Sequence, residues 1–168
     1  MNLTTILAIL GSALIFKKLM NKKIEVVGSY KVGSNIPNRL DALHSFESRK
    51  SDGFGGKMTT KINQELNKMF QKGINPDIES ITIDIDPVNY QVKWKAVLIP
   101  SKDGNAYRGV ITRGSAGAGA DERAINQIAK LKTAIPGAFN HKLVLDYNLK
   151  QPKIRQFFYK YQIKDGNN

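Results

Sequence analysis

The chain has 168 residues, with 26 lysines and arginines against 14 aspartates and glutamates, and no cysteine. The missing cysteines exclude disulfides, thiolate metal sites and cysteine nucleophiles. A formal net charge of +12 points to anionic partners: nucleic acid, lipid headgroups or an acidic protein surface.

Residues 1–16 carry no charge, and Lys17, Lys18, Lys22 and Lys23 follow at once. Leu3, Ile6, Leu7, Ile9, Leu10, Leu14, Ile15 and Phe16 dominate the run. As a helix, sixteen residues span about 24 Å. A bilayer core is about 30 Å thick. Lys17 and Lys18 can close much of the gap by keeping their stems in lipid and their ammonium groups among the headgroups. A buried helix of a soluble protein would normally carry a polar stripe, and this run has none. A cleaved signal peptide would place its positive charge before the run, not after it. The pattern predicts a single-span membrane anchor over residues 1–23. The positive-inside rule then keeps the lysine collar and residues 24–168 on the cytoplasmic face, or on the equivalent side of an assembled particle.

Residues 24–168 form one domain-sized unit. Residues 24–32 read as a strand. Pro37 can start a short helix whose buried edge is Leu40, Leu43 and Phe46. Residues 50–57 read as a flexible loop. Residues 59–72 are the clearest helix: Ile62, Leu66, Met69 and Phe70 fall on one face, Thr59 or Thr60 can cap the start, and Gly73 and Pro76 end it. Ile81, Ile83 and Ile85 alternate with polar residues. After a turn at residues 87–89, so do Tyr90, Val92, Trp94, Ala96 and Leu98. The Asp103-Gly104 pair signals a second hairpin, returning as a third strand over residues 107–112. A small-residue loop, residues 114–120, leads to a helix over residues 121–134, with Ala124, Ile128, Leu131 and Ile135 on one face. Strands over residues 142–147 and 153–163 follow. The predicted class is α+β: an N-terminal membrane-anchor helix, then a mostly antiparallel sheet covered by two or three helices.

Few constellations suggest chemistry. The loop at residues 114–120, flanked by Arg113 and Arg123, lacks the endings of a Walker loop and the spacing of a dinucleotide fingerprint. It reads as a connector with a capped helix, or as an anion or partner loop. Asp84 and Asp86 share a strand face and read as cross-strand partners of Lys93 and Lys95. His44 with Glu47 offers only two metal ligands, and Ser115 lacks a nucleophile elbow. The sequence therefore assigns no catalytic residue, no metal and no cofactor. Setting aside the collar leaves 22 basic against 14 acidic residues, and between Arg123 and Lys164 nine basic residues face Asp146 alone. Within that stretch lies the best candidate surface. Lys153, Arg155, Lys160 and the aromatic Phe157, Tyr159 and Tyr161 can neutralise phosphate and stack bases, or form a core strand.

The expectation is a non-enzymatic, membrane-anchored structural or adaptor protein docking an anionic partner within a larger assembly. A minor virion protein of a lipid-containing phage, linking membrane to capsid or genome, would have this form. The alternatives are a membrane-tethered nucleic-acid-binding module and an envelope-associated enzyme that gathers His44, Asp84 and Ser115.

Overall fold

The computed structural model describes residues 22–44, 53–115, 117–149 and 154–164. Strict alternation builds the first sheet. Strands β1 (Ile24–Lys31), β2 (Pro76–Asp86) and β3 (Gln91–Pro100) pair antiparallel in the order β1-β3-β2. In β3, Val92, Trp94, Ala96 and Leu98 turn inward, while Lys93 and Lys95 turn to water. The β2–β3 turn is held by Asp86, whose carboxylate accepts from the backbone N–H of Val88 at 2.9 Å and of Asn89 at 3.0 Å. These bonds, with one from the Asn89 side chain, lower the Asp86 pKa.

Helices α1 (Arg39–His44) and α2 (Phe54–Gln71) contribute to the core on the inner side of this sheet. Met58, Ile62, Leu66 and Met69 of α2 are buried at helical spacing. Phe70 was expected beside them but is 48% exposed. It lies about 80° around the helix from Ile62, beyond the edge of the apolar stripe. Leu40 of α1 is also exposed while Leu43 is buried, and Phe46 falls outside the described residues. The α2 helix starts at Phe54, so the end of the expected 50–57 loop is helical. Burial of Phe54 and Gly55 outweighs the two weak helix formers that follow Phe54. Thr59 is consequently mid-helix, its hydroxyl donating to the Gly55 carbonyl at 2.7 Å. The helix ends as expected. Gly73 takes φ +82°, its N–H reaches Phe70 O at 3.0 Å, and Ile74 N–H reaches Met69 O at 3.1 Å.

The expected continuous meander is broken after β3. Strand β4 (Tyr107–Ser115) does not return along β3, because β1 and β2 already occupy both edges of β3. Instead β4 joins β5 (Ala138–Leu149) and β6 (Ile154–Ile163) in a second antiparallel sheet, ordered β4-β6-β5. The connection is a corner rather than a hairpin. Asp103 accepts from the Ser101 and Tyr107 hydroxyls, each at 2.6 Å, and from Asn105 N–H at 2.9 Å. These bonds hold the Asp103 carboxyl well below the usual range. Asn63 of α2 then clasps β4, donating to Gly109 O at 3.0 Å and accepting from Gly109 N–H at 2.8 Å.

Helix α3 (Ala120–Ala134) packs along β4 and β5, burying Ala120, Ala124, Ile128 and Leu131. Ile111 and Phe158 from the second sheet enter the core of the first. Among the described residues the fold is therefore α+β, with two three-stranded antiparallel sheets and three helices. Among the described residues, β6 is packed from both faces, whereas the face of the first sheet that carries Lys93 and Lys95 is exposed.

Candidate functional site

Double coverage decides what β6 can do. As expected, Arg155, Phe157, Tyr159 and Tyr161 share one face by alternation, but that face lies inside. Gln156, Phe157, Phe158, Tyr161 and Gln162 are all buried, and Tyr159 and Lys160 are half-buried. The Tyr161 ring stacks on His141 at 5.5 Å, and Phe157 packs against Tyr159. Burial raises the pKa of both Tyr159 and Tyr161. The proposed stacking surface is thus corrected to a core strand.

The cations of β6 are also engaged. Lys160 meets Asp77 of β2 at 2.7 Å and pins the second sheet to the first. Arg155 holds Asp146 with two bonds, at 3.1 and 2.7 Å, and meets Asp121 at 3.0 Å. The bidentate bond to Asp146 is the main reason its pKa is raised. Lys153 lies outside the described residues.

The glycine-rich loop brings Arg113 and Arg123 to different ends. Arg113 is exposed on β4, opposite Gln156. Arg123 folds back to donate to Ala118 O at 3.4 Å. Asp121 and Glu122 stand in the first turn of α3, where Gly119 supplies no side-chain cap. His44 is buried on α1, 3.4 Å from the Tyr147 hydroxyl, and its pKa is lowered by burial against the opposing pull of Asp41. Asp84 lies on the wet face of the first sheet, so the two do not share a site. Glu47 falls outside the described residues. Among the described residues no group of three or more histidines and carboxylates is placed to hold a metal ion.

What the fold does build is an open groove of about 800 Å³ at the uncovered face and β1 edge of the first sheet. Register assembles it. Val27 pairs with Lys95, which pairs with Thr82; Ser29 pairs with Lys93, which pairs with Asp84. These two rows stand side by side on the exposed face, and Val27 is 57% exposed. From α2, Lys57 and Lys61 complete the lining. One helical turn separates them, so they share a face. The Lys57 ammonium lies 5.3 Å from the Tyr30 ring, and Lys61 lies 5.7 Å from the Trp94 ring while donating to the Val27 carbonyl. Gly28 sets the depth on the β1 side, since a β-carbon there would sit 2.4 Å from the Trp94 indole.

Four lysines thus line the groove against one carboxylate, Asp84. The nearest counter-charge to Lys95 outside it is Glu25, at 3.9 Å. Such a site can attract and hold an anion through ammonium groups with hydroxyl and amide donors beside them. The sequence signal was present: Lys93 and Lys95 alternate on a wet face, and Lys57 and Lys61 are four apart. Asp84 and Asp86 alternate on the same wet face and mask it, and Asp84 does stand opposite Lys93. Asp86 is instead committed to its own turn.

The predicted anchor residues Leu3, Ile6, Leu7, Ile9, Leu10, Leu14, Ile15, Phe16, Lys17 and Lys18 lie outside the described residues. Among the described residues no helix is long and apolar enough to cross a membrane. No protein-family model, curated protein or solved structure matches this chain.

Proposed function

We propose that this protein is a non-enzymatic, membrane-anchored structural or adaptor protein. Residues 1–23 insert in a bilayer, and the basic α+β domain is held at its lysine-collar side to engage an anionic partner. The observation that carries the reading is the lysine-lined groove, on a sheet whose first strand begins directly after the collar. Lys23, the last collar lysine, already meets Glu79 of β2 at 3.1 Å. The sheet therefore has no long linker to carry it away from the collar. A lipid-containing virion, in which such a protein ties membrane to capsid or genome, is the setting this reading favours.

The test is density-gradient separation of native source material with the protein tracked before and after detergent. Co-migration with a lipid-containing particle, and release by detergent but not by high salt, is the expected result. Release of the intact chain by salt alone overturns the anchor.

A further inference from the structure

We propose that the groove of the first sheet takes the phosphate headgroup of an anionic phospholipid, laying the wet sheet face against the membrane; this rests on the anchor reading above. Position argues for it first. Val27 and Ser29 lie three and five residues after Ile24, where β1 begins. At strand rise they are about 13 and 20 Å from Lys23, the last collar residue. A collar at headgroup level keeps the groove within about two Debye lengths of the leaflet surface. The nearest abundant anion is then the lipid itself.

Chemistry argues second. Lys57, Lys61, Lys93 and Lys95 supply ammonium groups, and Ser29 and Thr82 supply hydroxyls. Asp84 faces the same space, but it stands opposite Lys93 in register. A groove of about 800 Å³ suits one small ligand rather than a long polymer. Val27, exposed in the first row, gives the glycerol region an apolar contact.

The geometry also disfavours the competing partners. A single strand of nucleic acid wants ring faces for its bases. The only aromatic ring in the groove lining, Trp94, is 5% exposed and packed on Gly28. An acidic peptide would add as a strand along the open edge of β1. There Lys61 already occupies the Val27 carbonyl, and edge lysines discourage such pairing.

Trp94 is the only tryptophan in the chain and lines the groove from its buried side, so quenching of it by a headgroup label reports docking of this sheet. The full-length protein is placed in nanodiscs of phosphatidylcholine, alone or mixed with phosphatidylserine. A trace of lipid carrying a nitroxide on its headgroup is included in both. Trp94 quenching should be stronger in the mixed discs. Removing two cations near an anionic leaflet should lower the docking equilibrium roughly thirty-fold, so K93Q/K95Q should lose the difference while staying in the disc. Lys57→Gln, from the helix side, should shift it the same way by about five-fold. Equal quenching in both discs overturns the proposal, as does an unchanged difference in K93Q/K95Q. So does an oligonucleotide bound by protein in neutral discs when anionic discs give no added quenching. Failure of the wild-type chain to enter either disc overturns the anchor reading itself, and this proposal with it.

Discussion

Replacing Lys160 with methionine tests whether this cation belongs to the interior or to a binding surface. It leaves the Asp77 carboxylate inside, facing an apolar chain of similar length. The two side chains are only 17% and 13% exposed, and the charged atoms are 2.7 Å apart. Removing one partner of a buried pair costs about 3–5 kcal/mol. Residual water access at Asp77 places this case lower, at about 2–3 kcal/mol. Lys160 also donates to the Ile78 carbonyl at 3.3 Å and lies 4.8 Å from the Tyr107 ring centre. For a domain of this size the loss lowers the melting temperature by about 5–10 °C. The assay is urea unfolding of the full chain at fixed detergent, followed by Trp94 emission. Asp77→Asn and the double variant complete a cycle, whose coupling should reach at least about 1 kcal/mol. Stability of K160M within about 0.5 kcal/mol of the parent, or strict additivity in the cycle, refutes the pin and returns Lys160 to the surface.

Other substitutions probe the elements that shape the groove and hold the sheets. Gly28→Ala drives a methyl group to within 2.4 Å of the Trp94 indole and should cost about 1–3 kcal/mol with a shift in Trp94 emission; an unchanged melt and spectrum would contradict the packing. Asn63→Ala removes both bonds to Gly109, and a loss of about 2–3 kcal/mol with faster amide exchange at Gly109 is expected. The His141 pKa is lowered first by burial and then by Lys132, so the folded state holds the ring neutral. The unfolded chain therefore binds the proton first. Stability should fall as pH drops through the ordinary value of 6.5 towards the folded pKa, and stay lowered below both. His141→Phe, keeping the stack on Tyr161, should flatten that slope; urea midpoints between neutral and mildly acidic pH decide it. His44 should contribute a slope of the same sign, because burial lowers its pKa too.

Alternation and helix periodicity, which are local, predicted most of the elements. Val92 to Leu98 could be assigned to one face from β3 alone, and Ile62, Leu66 and Met69 from α2 alone. What failed depended on partners distant in sequence. The Asp103-Gly104 pair looks like a hairpin turn, yet whether β4 may return along β3 depends on β1, some seventy residues earlier, having taken that edge. The start of α2 at Phe54 depends likewise on a core that accepts the Phe54 ring. Neither signal exists within a window of local residues.

Charge was misplaced for the same reason. The stretch from Arg123 to Lys164 is the most basic in the chain, but density along a sequence is not a field in space. Asp77 reaches Lys160 across 83 positions, and Asp121 of α3 and Asp146 of β5, both earlier in the chain, converge on Arg155. Folding neutralises those cations locally. Lys57, Lys61, Lys93 and Lys95 sit among more acidic neighbours in sequence, yet folding gathers them around one groove with Asp84 as the only acid in its lining. An anion approaching the domain responds to charge that remains uncompensated after folding, and Arg155 and Lys160 are already paired to carboxylates. A polyanion that bound through Arg155 instead would have to break two ion pairs first, so its binding should weaken little when Lys93 and Lys95 are neutralised. Headgroup docking should weaken steeply.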